Sequence, residues 1–143
     1  MKLPDVNLLI YSVDDSSRHY ARARSWLEQA LSGTEEIGFA WVALLGFVRI
    51  STNPAAFGNA LSPDRAFEFV DSCLGSPVAT VVHPSDRHAG HLLDLLAPLC
   101  TAGNLTTDAH LAALAIEHGA ELCSSDNDFS RFEGLRWVNP LTS

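Results

Sequence analysis

Short apolar, β-branched runs alternate with segments of helical period along the whole chain, and few folds accommodate that pattern. Lys2 to Asp5 reads as a short strand, and Val6 to Tyr11 opens a helix. In "SSRHYARARSWLEQAL", Tyr20, Ala23, Trp26, Leu27, Ala30 and Leu31 share one helical face. Glu36 to Ala40 fits a strand. "WVALLGFVRIST" reads as a buried helix stopped by Asn53-Pro54. Ser62 is placed to cap a helix with Pro63 at its first position, and Phe67, Val70 and Leu74 are expected on its inner face. Val78 to Val82 is a strand, Ser85 to Leu99 an amphipathic helix, and "TTDAHLAALAIEHG" a helix with a terminal glycine. Leu122 to Ser124 and Arg136 to Val138 complete the strands. Strands separated by helices mean an α/β fold with a mainly parallel sheet.

The chain, residues 1–143, is expected to be one domain with a full core. At 47% apolar residues, disorder is excluded. Asp5 interrupts the N-terminal apolar run, so no secretory signal is expected. The longest uncharged run, Ile37 to Val48, is too short to span a bilayer. Cys73, Cys100 and Cys123 are odd in number and set among apolar residues, which suits buried thiols in a reducing cytoplasm. The net charge of −8, with eight arginines and one lysine, argues by itself against a nucleic-acid binder.

In open parallel sheets, ligands bind beyond the carboxyl ends of the strands. Asp5 ends the first strand, Asp126 and Asp128 follow the strand at Leu122, and Asp108 starts its helix beside Thr106 and Thr107. Each has a plain structural reading. Asp108 could serve the helix dipole and Asp126 could cap a short helix through Phe132. Asp5 could be a loop-end residue, although an acid between Pro4 and an apolar run is costly to bury without a partner. Together, four carboxylates at one sheet edge would repel unless a cation sits among them, and hard oxygen ligands favour Mg²⁺ or Mn²⁺ over zinc.

Other carboxylate chemistries lack their partners. An aspartyl-phosphate phosphatase needs a second Asp where Asn7 stands, and a phospho-receiver needs a late lysine where the only lysine is Lys2. No P-loop and no glycine-rich dinucleotide turn is present. His88 and His91 lack a third ligand and read as surface residues.

"DVNLLIY", "TTDAHLAALAIEHGAEL" and "SSDNDFSRFEGLRWVNP", with "LLGFVRISTNP" between them, resemble PIN-domain ribonucleases of the VapC toxin type, in the subgroup abundant in mycobacteria and related actinobacteria. The likeness covers essentially the whole chain. It implies a three-layer α/β/α fold, Mg²⁺-dependent RNA cleavage (with Mn²⁺ as a substitute) and a cognate antitoxin encoded by an adjacent gene. Asp5, Asp108 and Asp126 fall on the family's acidic positions and Asp128 on its frequent additional acid. Asn7, Thr107 and Ser125 fall on positions of polar support. A family acid is missing: Gly46 stands where the wider family has Glu. Glu35 and Glu36 lie at the wrong end of their strand. Glu117 is nine residues past Asp108, roughly 13 Å along the helix and on the opposite face. One tightly bound Mg²⁺ is therefore expected, with a second recruited only weakly by substrate phosphate.

Bound metal would invert the local field of the acids. Arg49, Arg87 and Arg131 could then line an approach for phosphate, or be solvated surface charges. The expected partners are RNA, an antitoxin and a second copy of the chain, with no membrane. The competing reading is a catalytically weakened PIN scaffold that binds RNA or protein without cutting.

Overall fold

A computed structural model describes residues 1–142. Strands β1 (Lys2–Pro4), β2 (Ile37–Phe39), β3 (Ala79–Val81), β4 (Glu121–Cys123) and β5 (Trp137–Val138) form one sheet in the order β3-β2-β1-β4-β5. Every neighbouring pair is parallel. Helices α1 (Val6–Tyr11), α2 (Tyr20–Ser32), α3 (Trp41–Ser51), α4 (Pro63–Leu74), α5 (His88–Leu96) and α6 (Thr106–Glu117) cover it.

Side chains alternate across the strands, and each face has its own core. Leu3 and Leu122 pack with Leu95 of α5 and with Ala109, Ala112 and Ala113 of α6. Ile37 and Phe39 turn the other way, onto Leu27, Leu44, Phe47 and Val70. Cys123 also leaves the α6 face, joining Leu8 and Ala23. The result is the expected three-layer α/β/α arrangement. Alanines at 109, 112, 113 and 115 are fully buried, which brings the α6 backbone close to the sheet. The helix closes on Gly119 at φ +62°, a left-handed position that favours glycine. The Ala120 N–H reaches Ala115 O at 2.8 Å and the Gly119 N–H reaches Ile116 O at 3.2 Å, which together satisfy two end carbonyls.

The structure corrects several details. Ala66, Val70 and Cys73 form the inner face of α4, and Phe67 is 44% exposed, because that stripe rotates Phe67 off the core. The helix expected over Ser85–Leu99 is shorter. It runs from His88 to Leu96 and tightens into a 3-10 turn over Ala97–Leu99, where Pro98 has no N–H to continue an α-helix. Cys100 follows that turn at φ +57° and is exposed, not buried. Cys73 and Cys123 are buried, and burial pushes both thiols up to about 12. Ellman's reagent should therefore find one fast thiol in the folded protein and three after denaturation. Three fast thiols in the native state would contradict this packing.

The strand order places β1 and β4 side by side at the point where the connections change direction. The chain steps outward from β1 to β2 and β3, then returns through α5 and α6 to β4. A crevice opens beyond the carboxyl ends of strands at such a point.

Candidate metal centre

Strand register builds the floor of the crevice. Pro4 pairs with Cys123, so the next residues, Asp5 and Ser124, leave adjacent strands at the same level. The Asp5 N–H donates to Cys123 O at 2.9 Å, continuing the ladder by one bond. Asp5 is only 8% exposed. Its Oδ1 accepts from the Val6 N–H at 2.7 Å and so caps α1. Its Oδ2 accepts from Ser124 Oγ at 2.8 Å and from Asn7 Nδ2 at 3.3 Å.

Ser124 is the hub. Fully buried, it donates to Asp5 and accepts from Asn7 Nδ2 at 3.1 Å and from the Asp126 N–H at 3.0 Å. Asn7 closes the loop by accepting the Ser125 N–H at 3.3 Å. Ser125 thus enters through its backbone, and the hydroxyl comes from its neighbour. The sequence reading passed over Ser124. The signal was the β1–β4 register, which pairs Ser124 with Asp5 once Pro4 is set against Cys123.

Asp126 has a divided role. It caps the 3-10 turn Asn127–Arg131 by accepting the Asp128 N–H on Oδ1 at 2.9 Å. Among the described residues its second oxygen has no hydrogen-bond partner. Asp108 lies in the first turn of α6 and makes no capping bond, although carboxylates favour that end of a helix. Asp108, Asp126 and Asp128 each bring a carboxylate oxygen within 4.8 Å of the others. Asp5 stands beneath them with both oxygens engaged.

The electrostatics are those of crowded acids. Burial pushes Asp108 up to about 6, helped by repulsion from Asp126, Asp5 and Asp128. Asp5 is also raised, chiefly by burial; the Ser124 and Val6 bonds oppose this, and Asp126 adds to it. A divalent cation relieves this repulsion, and the donors are all hard oxygens, so the residues fit such an ion. The crevice above them is a cleft of about 600 Å³. Thr107 and Asp108 line it from α6, and Asp5, Asn7 and Asp126 from the sheet edge. Leu45, Gly46 and Arg49 line it from α3.

The PIN domain family matches residues 2–135. The chain belongs to the PIN-domain family. Ribonuclease VapC37 of Mycobacterium tuberculosis is 46% identical over 140 residues, covering 98% of this chain and 97% of that protein. Ribonuclease VapC33 of the same species is 40% identical over 141 residues, covering 99% of each. Among solved structures, VapBC2 from Rickettsia felis bound to a promoter DNA fragment shares the fold. Its TM-score is 0.71 at 16% identity, over 96% of this chain and 97% of that one.

In this PIN domain the three arginines separate. Arg49 lines the cleft. Arg131 lies 3.8 Å from Asp128, both half exposed. Arg87 occupies the N-cap position of α5 without a side-chain capping bond, near the end of α6 remote from Asp108. Glu117 at that remote end accepts from the Ser85 N–H at 3.0 Å and meets His88 Nδ1 at 2.6 Å. His88 is therefore not a surface residue. Its side chain is 13% exposed, held between Glu117 and His110, whose Nδ1 lies 2.7 Å from His88 Nε2. Glu35 binds the N-terminal ammonium at 3.2 Å and Lys2 at 3.5 Å, away from the cleft. Neither glutamate supplies the missing acid. A Cβ at Gly46 would lie 3.1 Å from Val6 Cγ2, so the glycine sits against the start of α1, next to Asp5. Among the described residues no helix is long and apolar enough to cross a membrane.

Proposed function

We propose that this PIN domain is a Mg²⁺-dependent endoribonuclease toxin, neutralised by a cognate antitoxin that covers the cleft. The observation that carries the reading is the convergence of Asp108, Asp126 and Asp128 within 4.8 Å, in a chain similar over nearly its whole length to ribonucleases. Asp108 and Asp126 would hold the ion with Asp128 at the solvent side. Asp5 would add charge from below and, through Ser124, fix the loop that carries Asp126. Asn7 would support those acids directly and Ser125 through its backbone N–H, while Thr107 would line the cleft beside Asp108. When bound, the ion supplies an activated water and stabilises charge on phosphate and leaving oxygen. The protein's own work is to hold carboxylates on one wall and leave coordination places open above them. A solved VapBC assembly of the same fold supports an antitoxin partner, and a second copy of the chain is a further expected partner.

The test is cleavage of RNA by purified protein. EDTA should abolish it and excess Mg²⁺ restore it, with Mn²⁺ as a substitute. Gly46 motivates a second reading, a PIN scaffold that binds RNA or protein without cutting. RNA binding with no cleavage at any Mg²⁺ concentration would favour it and sink the nuclease.

A further inference from the structure

The acids of the cleft all stand on one side. Asp5, Asp108 and Asp126 come from the sheet edge and α6, whereas the α3 wall offers Leu45, Gly46 and Arg49. Two-metal phosphodiester sites place ions about 3.5–4 Å apart and need carboxylates for both. Here one oxygen each of Asp108, Asp126 and Asp128 lies within 4.8 Å of the others, a ligand set for one small cation, whose bonds to oxygen run to about 2.1 Å. Where a further acid would face them, Gly46 offers no side chain.

Arg49 lies three residues further along α3 and is the cation that lines this cleft. It is exposed, and among the described residues it forms no ion pair, although the cleft holds three carboxylates. A guanidinium opposite the acids, unpaired with any of them, is placed for an anion that comes from outside. Its planar fork matches two oxygens of a phosphate.

Building on the nuclease reading, we propose that Arg49 takes the place of a second metal, donating two hydrogen bonds to the non-bridging oxygens of the scissile phosphate while one ion sits among the aspartates. In the step, a water oxygen bonds to phosphorus as the bond to the leaving ribose oxygen breaks. The electron pair of that bond goes to the leaving oxygen, which takes up the proton the water gives up. Arg49 neither gains nor loses a proton. It donates to oxygens whose negative charge grows as the fifth bond forms, so it acts on the transition state more than on the bound substrate.

The test uses the full chain with Arg49→Ala and Arg49→Lys. Calorimetry with Mn²⁺ should find one ion per chain in the parent and in both variants. With saturating Mg²⁺, Arg49→Ala should lower kcat by about 100-fold or more with little change in KM, as for the loss of a preorganised donor. Arg49→Lys should recover only part, since a point charge cannot make the paired bonds. Guanidinium ion, well below denaturing concentrations, should restore part of the Arg49→Ala rate, which a merely structural arginine would not allow. Two Mn²⁺ per chain, or a kcat for Arg49→Ala within about threefold of the parent, overturns the proposal. If Arg49→Ala does not fold, Arg49→Lys decides, with a kcat at least tenfold down expected and an unchanged kcat fatal. A parent protein that never cleaves RNA would instead overturn the nuclease reading, so the two failures are distinct.

Discussion

Asp126→Asn should fold and melt like the parent and yet lose Mg²⁺-dependent RNA cleavage by well over 100-fold. The two halves of the prediction come from the two oxygens of one side chain. Oδ1 accepts the Asp128 N–H at 2.9 Å and caps the turn Asn127–Arg131. Asn caps as well as Asp, so the turn survives with its oxygen on the same N–H. The same carboxylate contributes an oxygen to the cluster with Asp108 and Asp128, and the substitution removes its charge and puts an amide that donates instead of accepting in place of the oxygen that caps nothing. Losing an outer-shell partner costs roughly 10–100-fold in metal affinity or activity, and a direct ligand costs more. Asp128→Asn should do less, because Asp128 is exposed and already shares its charge with Arg131. Full activity in Asp126→Asn would reduce Asp126 to a cap.

The layout was legible because its signals are local. Strand ends, capping residues and the breaker at Asn53-Pro54 each act within a few residues, and the alternation of strand and helix then leaves a parallel sheet as the solution. The carboxylates were legible for the same reason, since each sits at an element boundary that the sequence marks. What the sequence hid depends on contacts between distant segments. Ser124 matters only because β1 and β4 pair in one register, 119 residues apart at the Asp5–Ser124 bond. His88 looks like one of two surface histidines until α5 docks on α6 and brings Glu117 and His110 to either side of it. Phe67 and Cys100 are apolar in type but exposed, one by helix rotation and one by the left-handed turn after Pro98. Nor could spacing tell that Asp5 has both oxygens engaged by the protein while Asp126 keeps one free. That distinction separates an acid that organises the site from an acid that offers a lone pair to an ion.

Asp108 gives the sharpest thermodynamic test, because removing its charge should stabilise the metal-free protein. Its carboxyl is pushed up to about 6 from an ordinary 3.8, first by burial and then by Asp126, Asp5 and Asp128. A raised acid binds protons more tightly in the folded state than in the unfolded one, so stability falls as pH rises through that window. Ionised Asp108 thus costs stability in full above pH about 6 and nothing below about 4. The side chain is partly solvated, which screens the effect, and we expect roughly 1 kcal/mol, or about 3 °C in Tm. In EDTA at pH 8, Asp108→Asn should melt above the parent by that margin. The gap should narrow through pH 6 and close near pH 4. Mg²⁺ should reverse the order, because a ligand at 100 times its Kd adds about 2.7 kcal/mol to the state that binds it, and the Asn variant has lost a ligand. Cleavage by Asp108→Asn should be lost throughout. A variant that melts below the parent in EDTA at pH 8 would mean that Asp108 works chiefly on the α6 dipole, and the acids would then have to be less crowded than their geometry implies.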